Sequence, residues 1–377
     1  MRSFTQVLSF LLPAVSAAVA GKKGPGDNSE CVATEYSQVV PTLAACTNVV
    51  LRDIAVPSNS ALDLTSAKDN SVITFEGTTT FGFTNSSSFN PILLSGNNIT
   101  ITGAPGSVID GNGQLYWDGL GSNGGVPKPD HFVYIKKLNK GSVIENLHIR
   151  NWPVHCFSIN SCSDLTIRNL FLDNSAGNAP NNRSNGLAAA HNSDGFDIST
   201  STNVVVKDTT VINQDDCVAV TSGDQITATG LTCIGGHGLS IGSVGGKSAN
   251  NVTNVIFSKS AVIDSQNGAR IKTNYGTTGF VANITYEDIL LHNISIYGLD
   301  VQQDYLNGGP TGTPTNGVII ENLLFKNLVG TMAKNSNARD YYILCGNGSC
   351  SNFVFENVHI VGGESASSCN YPASGCP

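Results

Sequence analysis

The fold of this chain is decided by three motifs, Asn192-Ser-Asp-Gly-Phe-Asp197, Gln214-Asp-Asp-Cys217 and Gly235-Gly-His-Gly238. Asp194 and Asp216 are 22 residues apart, and so are Asp215 and His237. A short apolar run follows each motif. A regular step of this length is typical of one coil of a stacked β-solenoid, in which equivalent positions of successive coils lie above one another. The spacing therefore predicts that these three acids and the histidine share one face.

The rest of the chain repeats one kind of unit, a short run rich in Val, Ile, Thr and Phe followed by a turn of Gly, Asn, Ser or Asp. Examples are residues 98–102, 142–149, 251–257 and 352–358. Runs of this composition are typical of β-strands. Strands of a β-sandwich recur about every 8–12 residues, whereas these units recur at roughly 20–30 residues, the length of one solenoid coil. We therefore expect an all-β parallel β-helix that forms a single domain.

Three further features refine this expectation. A short helix near residues 42–46 is expected to cap the first coil, because a solenoid must cover its open ends. Asn residues at the ends of the runs are expected to stack as amide ladders that satisfy buried polar groups. Residues 174–190 and 303–316 interrupt the repeat and are polar or rich in Gly, Pro and Asn. We expect both loops to wall a groove beside the acidic cluster.

Composition and the first residues predict a secreted polypeptide. Asp, Glu, Lys and Arg make up 13% of the 377 residues, against about a quarter in an average protein. Residues 1–20 combine a positively charged start, an apolar run and the small-residue end Ala18-Val-Ala20, the pattern of a signal peptide. We predict a signal peptide at 1–20, a possible short propeptide or tail at 21–30 and a catalytic domain at 31–377. The apolar run is too short for a membrane anchor, so no membrane association is expected after its removal.

The charge balance limits the partners of the protein. The formal net charge is −8 and the pI is near 5.3, so a polyanion such as nucleic acid would be repelled overall. An anionic ligand would need a local cationic patch against this background. We expect an extracellular monomer that binds no nucleic acid.

The ten cysteines of a secreted chain suggest disulfides. Proximity in the sequence favours the pairs Cys31–Cys46, Cys217–Cys233, Cys345–Cys350 and Cys369–Cys376. Cys156 and Cys162 remain, either as a pair or as buried free thiols. A metal site is disfavoured because Cys-x-x-Cys pairs are absent from the sequence. Some glycosylation is expected at the seven Asn-x-Ser/Thr sequons, Asn85, Asn98, Asn182, Asn251, Asn283, Asn293 and Asn347.

The acidic cluster suggests hydrolysis of a glycosidic bond, which needs a proton for the leaving oxygen and a base for water. Neighbouring carboxylates such as Asp194, Asp215 and Asp216 push their pKa values apart, so that one stays protonated. Calcium binding or turn capping would explain a single such Asp, but three in register with a histidine favour catalysis. His237 stands between glycines that allow a ligand to approach closely, and it could hold the charge state of a carboxylate. Asp197 is given a structural role because side chains alternate along a strand.

A cationic run lies further along the chain, Ala269-Arg-Ile-Lys-Thr273. Arg270 and Lys272 are two residues apart on a predicted strand, so they point to the same side. Arginine can bind a carboxylate through two parallel hydrogen bonds and lysine adds a point charge, although two solvated strand residues would look the same. Tyr305 follows about one coil later and could stack on a sugar ring. Acids beside cations indicate a hydrolase of an anionic glycan.

The four motifs, in this order and at these spacings, resemble those of glycoside hydrolase family 28, most closely its fungal endo-polygalacturonases. The resemblance covers nearly the whole chain after the signal peptide. It rests on 192–197, 214–217, Gly235-Gly-His-Gly-Leu-Ser-Ile-Gly-Ser243 and Arg270-Ile-Lys272. The family usually has Thr where this chain has Ser193, a change that keeps the hydroxyl.

The resemblance implies a right-handed parallel β-helix and an inverting reaction without metal or cofactor. It implies Asp215 as the general acid and Asp194 with Asp216 as the pair that activates water. His237 would support the charge state of the acid. Inversion requires the acid and base carboxyl groups to stand about 6.5–9.5 Å apart. The implied substrate contacts are Asn192, Arg270, Lys272 and Tyr305.

Several functions remain open from the sequence. An exo-acting or xylogalacturonan-directed relative would share the motifs and differ in its loops, although the continuation Ile241-Gly-Ser-Val-Gly245 looks more like the endo enzymes. A pectate lyase also uses a β-helix, but its chemistry needs calcium and an arginine base. A non-catalytic glycan-binding solenoid is disfavoured by the intact acidic triad. The reading that we prefer is endo-acting hydrolysis of polygalacturonate (pectin), with an acidic pH optimum because one carboxyl must stay protonated.

Overall fold

The computed structural model describes residues 31–307 and 309–377, and Cys31–Pro377 forms one compact unit. The predicted signal peptide and propeptide lie outside the described residues. Within these residues a single α-helix, α1 (Tyr36–Ala45), precedes a long series of short strands. Short 3₁₀ turns occur at Gly113–Leu115, Gly121–Asn123 and Ser175–Gly177.

The strands in chain order are β1 (Cys31–Ala33), β2 (Asn48–Arg52), β3 (Ala55–Val56), β4 (Leu62–Asp63), β5 (Val72–Glu76), β6 (Thr78–Phe81), β7 (Ile92–Asn97), β8 (Thr100–Gly103), β9 (Val108–Asp110), β10 (His131–Asn139), β11 (Ser142–Glu145), β12 (His148–Arg150), β13 (His155–Asn160), β14 (Ser163–Arg168), β15 (Phe171–Asp173), β16 (Phe196–Ser199), β17 (Ser201–Lys207), β18 (Thr210–Asn213), β19 (Val218–Val220), β20 (Gly223–Thr229), β21 (Thr232–Gly235), β22 (Leu239–Val244), β23 (Asn251–Ile263), β24 (Asn267–Asn274), β25 (Gly279–Ile294), β26 (Tyr297–Leu306), β27 (Gly309–Pro310), β28 (Val318–Met332), β29 (Arg339–Leu344), β30 (Cys350–Glu356), β31 (His359–Val361) and β32 (Ser368–Cys369).

These strands pair in parallel from coil to coil and form the faces of a parallel β-helix. The strands β4, β7, β10, β13, β16, β19, β22, β24, β26, β29 and β32 follow one another in one sheet, which we call the catalytic sheet. A second sheet of 20 strands contains the other two faces. They are joined because β23, β25 and β28 continue around the corner between them, so that β23 pairs with both β20 and β21.

Coil length varies, and this variation creates the groove. The Thr200 N–H donates to the Ser222 hydroxyl of the next coil, 22 residues further along the chain. The equivalent hydrogen bond from the Ile99 N–H to the Ser142 hydroxyl spans 43 residues. The predicted 174–190 loop accounts for one long coil. The predicted 303–316 loop is partly regular, because β26 extends to Leu306 and folds back antiparallel on β27. The structure has a third long loop, residues 111–130, which the sequence does not predict. Its Gly-rich composition does not distinguish it from the short turns found throughout the chain.

The predicted capping helix and the predicted asparagine ladders are both present, but each differs from the prediction in one respect. The helix begins at Tyr36 rather than near Thr42, because it tolerates Pro41 in its interior, a residue that usually ends a helix. The asparagine ladders run along exposed corners and not through the interior. Asn283 Nδ2 donates to Asn254 Oδ1 at 2.9 Å, and Asn322 Nδ2 donates to Asn283 Oδ1 at 3.1 Å. Each of these three has a φ between 55° and 58°, a left-handed conformation that asparagine tolerates.

The interior is a continuous apolar column. In the catalytic sheet Ile159, Ile198 and Val220 are register partners and are fully buried. On another face four aromatic rings stack in succession with centroids 4.8, 5.4 and 5.5 Å apart. These rings are Phe257, Tyr286, Phe325 and Phe355. Such stacking aligns each coil on the previous one and keeps outward side chains in straight rows.

The structure contains the four disulfides that proximity suggested, with Cα–Cα distances between 5.9 and 6.3 Å. Cys31–Cys46 fastens the capping helix to the first strand, and Cys217–Cys233 closes the coil that carries Asp215 and Asp216. Cys156 and Cys162 are both buried and unpaired. Among residues 31–307 and 309–377, no helix is long and apolar enough to span a bilayer.

Candidate active site

The predicted acids lie at the starts of neighbouring strands of the catalytic sheet. The backbone N–H of Gly195 donates to the carbonyl of Asp216 at 2.9 Å, which places Asp194 and Asp216 in one row. The 22-residue step is exact between β16 and β19, where Phe196 pairs with Val218. The next coil is one residue shorter, because Val218 pairs with Leu239.

The carboxyl groups of Asp215 and Asp216 lie within 4.8 Å of each other because the backbone there is a turn and not a strand. Asn213, buried beneath the turn, donates from Nδ2 to the carbonyls of Ser193, Asp215 and Asp216 at 2.9–3.0 Å. The Asp216 N–H donates back to Asp215 Oδ1 at 2.8 Å. Gly236 has a φ of 61°, and a Cβ there would lie 2.3 Å from the Asp215 carbonyl. Adjacent acids can therefore share one cleft.

Asp215 is surrounded by hydrogen-bond donors. His237 Nδ1 lies 2.7 Å from its Oδ1, and Asn192 Nδ2 donates to its Oδ2 at 3.0 Å. Burial acts to raise the pKa of Asp215, but the attraction of His237, that of Lys272 and the Asp216 amide outweigh it and leave the pKa below its usual value. The surroundings of Asp215 therefore favour its ionised form.

Asp216 is held by a cation and a hydroxyl. Lys272 Nζ donates to its Oδ2 at 2.7 Å, and Ser240 Oγ donates to its Oδ1 at 2.6 Å. Burial disfavours the charge of Lys272, but Asp216 raises the lysine pKa above its ordinary value. The two hydrogen bonds hold the Asp216 carboxyl group in a fixed position.

Arg270 is anchored from below and covered by an aromatic ring. Its Nε donates to Asp300 Oδ2 at 3.2 Å, and Gln302 Nε2 donates to the same oxygen at 2.6 Å. Burial raises the pKa of Asp300 to about 7, although Arg270 opposes the shift. The Tyr305 ring centroid lies 5.5 Å from the Arg270 guanidinium and 5.4 Å from Lys272 Nζ, so it faces both cations.

The pKa of Asp194 is shifted in the opposite direction from that of Asp215. Burial raises its pKa well above the usual range, and the negative charges of Asp215 and Asp197 add to the shift. His155 is the cation that opposes it. The pKa values of Asp194 and Asp215 are therefore shifted in opposite directions, that of Asp194 upward and that of Asp215 downward.

The site opens into a groove of about 930 Å³. Asn178 and Leu187 of the 174–190 loop line one wall, and Asn307 and Pro310 of the 303–316 segment line another, as the sequence predicted. The unforeseen 111–130 loop braces the first wall. Arg183 donates to the carbonyls of Gln114 and Leu115, and Asn192 Oδ1 accepts from Ser122 N, Ser122 Oγ and Asn123 Nδ2 at 3.1–3.2 Å.

A family model described as glycosyl hydrolases family 28 matches residues 46–377. The chain belongs to glycosyl hydrolase family 28. The family 28 resemblance of the four motifs is thus confirmed. Ser193 stands where the family usually has Thr. Its hydroxyl donates to Gln214 Oε1 at 2.7 Å and accepts the Gln214 N–H at 2.8 Å.

The family 28 chain has close relatives among known proteins. It is 57% identical over 366 residues to a probable endopolygalacturonase D of Aspergillus oryzae, covering 97% of this chain and 73% of the relative. It is 57% identical over 352 residues to a polygalacturonase of Fusarium fujikuroi, covering 93% and 94%. The solved endopolygalacturonase I from Stereum purpureum, complexed with two galacturonates, matches with a TM-score of 0.74 and 30% identity over 89% of this chain and 96% of that chain. The predicted right-handed parallel β-helix is confirmed.

The structure brings together every residue that the sequence analysis placed in the site, and it adds others. His191 lines the groove near Asp215 and His237, and burial lowers its pKa. Asp300 and Gln302 support Arg270 from within the catalytic sheet. His191 stands directly before the Asn192 motif and could have been suspected. Asp300 carried no signal, because its role depends on the β24–β26 register, in which it faces Arg270.

Protein stability should fall as the pH rises from about 5 to about 8. The folded pKa values of Asp194, Asp300, His131 and His155 are raised, so the folded state binds protons more tightly than the unfolded state. The contribution of Asp300 is lost between the ordinary Asp value and about 7, that of Asp194 is lost above the ordinary Asp value, and the imidazole contributions are lost above about 6.5. Asp215 has a lowered pKa, so its contribution is already complete at pH 5.

We expect the free energy of unfolding to be greater at pH 5 than at pH 8 by about 2 kcal/mol or more. Urea denaturation followed by circular dichroism at both values measures it. Asp300→Asn removes one contribution and should show a shallower dependence. If the urea concentration at the unfolding midpoint were the same or higher at pH 8 than at pH 5, the raised pKa values of these four groups would be contradicted.

Proposed function

We propose that this protein is a secreted endo-polygalacturonase that hydrolyses the α-1,4-galacturonosyl linkages of polygalacturonate with inversion. The observation that carries the proposal is the placement of two cations, the largely covered Arg270 and the buried Lys272, in the same groove as Asp215, with Lys272 paired to the neighbouring Asp216. A neutral glycan would give no reason to hold two cations beside the acids, whereas each galacturonate carries a carboxylate. The names of the relatives, polygalacturonase and endopolygalacturonase, support the same substrate.

Substrate binding is assigned to the cationic side of the groove. Arg270 uses only Nε for Asp300, so the two terminal nitrogens have no partner among the described residues and can bind a galacturonate carboxylate bidentately. Lys272 adds a second charge, and Tyr305 lies against the same position. Asn192 contributes by orienting Asp215. These contacts would place the sugar on the leaving-group side next to the acids.

The reaction needs one proton donor and one base. Asp215 donates the proton to the glycosidic oxygen as the C–O bond breaks, and Asp194 with Asp216 takes a proton from water as the oxygen of that water bonds to the anomeric carbon. Carboxylate oxygens of Asp215 and Asp216 approach within 4.8 Å of each other.

The proton of Asp215 comes from His237 in this scheme. His237 Nδ1 lies 2.7 Å from Asp215 Oδ1, a distance at which a proton can pass between them. Binding of an anionic polymer removes water and adds negative charge, and both effects favour a neutral carboxylic acid with a neutral imidazole over an ion pair. Transfer of the proton from Nδ1 to Oδ1 then arms the acid without any net change in charge. His237 thus supports the charge state of the acid.

Timed product analysis on polygalacturonate tests the activity and its mode. We expect a series of oligogalacturonates early in the reaction, no ultraviolet absorbance from unsaturated ends and full activity in the presence of a chelator. Galacturonate as the sole early product would replace the endo mode by an exo mode. Unsaturated products or loss of activity in chelator would indicate a lyase.

Secretion and a monomeric state belong to the same proposal. The signal-peptide pattern and four disulfides support an oxidising, extracellular environment. Detection of the protein in culture medium, beginning after residue 20, would test secretion. The mass of the purified protein in solution would test the monomer.

A further inference from the structure

The row of catalytic acids continues into two histidines on the preceding coils. His131 of β10 is the register partner of His155 of β13. The Cys156 N–H donates to the Asp194 carbonyl at 2.8 Å, which puts His155 beside Asp194 on the next coil. The imidazole centroids are 4.8 Å apart and the rings are inclined by 32°. The row therefore runs from His131 through His155 and Asp194 to Asp216.

Carboxylates occupy both edges of the two imidazoles. Asp130 lies 3.0 Å from His131 Nδ1 and 3.3 Å from His155 Nδ1, and its carbonyl is 2.9 Å from the same nitrogen of His155. On the other edge His131 Nε2 is 3.3 Å from Asp197, and His155 Nε2 is 3.8 Å from Asp194. Each ring nitrogen of the two histidines therefore lies within 4 Å of a carboxylate oxygen, an arrangement that favours a positive charge on both rings.

The other buried acids of the site each have their own cation. Asp215 faces His237, Asp216 pairs with Lys272 and Asp300 pairs with Arg270. Asp194 makes no such pair at hydrogen-bond distance. The nearest cationic group to Asp194 is His155, whose Nε2 lies 3.8 Å from Asp194 Oδ1. In the same way, His131 Nε2 lies 3.3 Å from Asp197 Oδ2.

We propose that His155, held as a cation by Asp130, is a positioning residue that lowers the pH at which Asp194 ionises. The proposal rests on the function proposed above, in which Asp194 is part of the base. His131 balances Asp197, so that the second carboxylate does not cancel the effect of His155 on Asp194. The base then becomes available in the same acidic range in which the proton donor keeps its proton.

The electrostatics of the whole neighbourhood agree with this role. Burial disfavours the charge of His155, but Asp130, Asp194 and Asp197 raise its pKa well above the ordinary value. Asp130 is itself held in its ionised form, with a lowered pKa, by both imidazoles. The other charged and titratable groups that face the Asp194–His155 pair are His131, Asp197, Asp215, Asp216 and Lys247.

The pH dependence of kcat for His155→Gln tests the proposal. Loss of an opposite charge near a carboxylate shifts its titration by about one unit or more. We expect the acidic limb of the kcat profile to move upward by about one pH unit, while kcat at the new optimum stays within about tenfold of the wild type. The matched control is His359→Gln, an exposed histidine on β31, which should leave the profile unchanged. An unshifted acidic limb in a folded His155→Gln protein would overturn the proposal.

A second measurement needs no catalytic activity. Coupling between two titrating groups is reciprocal, so the Asp194 charge must hold the proton on His155 as firmly as His155 favours that charge. Nuclear magnetic resonance of the ring nitrogens should show His155 still protonated at pH 7. Asp194→Asn should lower the His155 pKa by about one unit and should leave that of His359 unchanged.

The two experiments separate the possible failures. If the protein does not hydrolyse polygalacturonate, the proposed function fails, while the nuclear magnetic resonance titration still decides whether His155 and Asp194 are coupled. If hydrolysis occurs but the His155 titration is the same in wild type and Asp194→Asn, the inference is wrong and the proposed function stands. If His155→Gln does not fold, the titration of the Asp194→Asn protein decides.

Discussion

Asp215→Asn is expected to lower kcat on polygalacturonate by about 10³-fold, with binding of the polymer largely retained. Asparagine keeps the size and the hydrogen bond from the Asp216 amide, but it cannot give a proton to the leaving oxygen. It also leaves His237 without its carboxylate. Kinetics on polygalacturonate together with calorimetric binding of an oligogalacturonate measure the two effects. The control Asp224→Asn changes an acid on β20, in the other sheet, and should leave kcat unchanged.

The same variant can show which carboxyl is the donor. In the free protein the surroundings raise the pKa of Asp194 and lower that of Asp215. An aryl oligogalacturonide has a phenolate leaving group that departs without protonation. If Asp215 is the donor, Asp215→Asn should recover most of its activity on this substrate, whereas Asp194→Asn should not. Recovery by Asp194→Asn alone would reverse the assignment of acid and base.

Lys272→Met is expected to lower kcat/KM by about 10²–10³-fold. The change removes the cation proposed to bind a galacturonate carboxylate, and it also leaves the Asp216 carboxylate buried without its partner at 2.7 Å. We therefore expect KM to rise and kcat to fall. Steady-state kinetics on polygalacturonate would measure the loss.

Two comparisons isolate the role of Lys272. Lys326→Met removes a lysine that pairs with Glu287 at the same distance of 2.7 Å, but on the partly exposed second sheet, and it should change kcat/KM very little. Lys272→Arg keeps the charge and should lose less than Lys272→Met. A Lys272→Met protein with wild-type kcat/KM would remove Lys272 from both substrate binding and the support of Asp216.

Much of the architecture follows from local patterns. The stepped motifs at Asp194, Asp215 and His237 predict coils, because in a solenoid sequence spacing translates directly into position. The same logic places Arg270 and Lys272 on the face of the acids. Disulfide partners close in sequence could also be paired by proximity. These predictions succeed because they depend on one coil and its neighbour.

Three features of the structure could not be predicted, each for its own physical reason. Residues 111–130 form a wall of the groove, but a long insertion in a Gly-rich chain carries no pattern that shows where it packs. The helix start at Tyr36 was hidden by Pro41. The coil from Val218 to Leu239 is one residue shorter than the motif spacing suggests, because the Gly235–Gly238 turn absorbs the difference.

By itself, the sequence determined the parallel β-helix and the set of acids and cations, since both are written in residue type and spacing. Only the tertiary structure decided the direction in which the pKa of each of Asp194 and Asp215 is shifted. These directions depend on burial and on neighbours that come from other coils, His155 for Asp194 and His237 for Asp215. Electrostatic energy depends on distance through the folded molecule, and distances between coils of unequal length cannot be read from residue numbers.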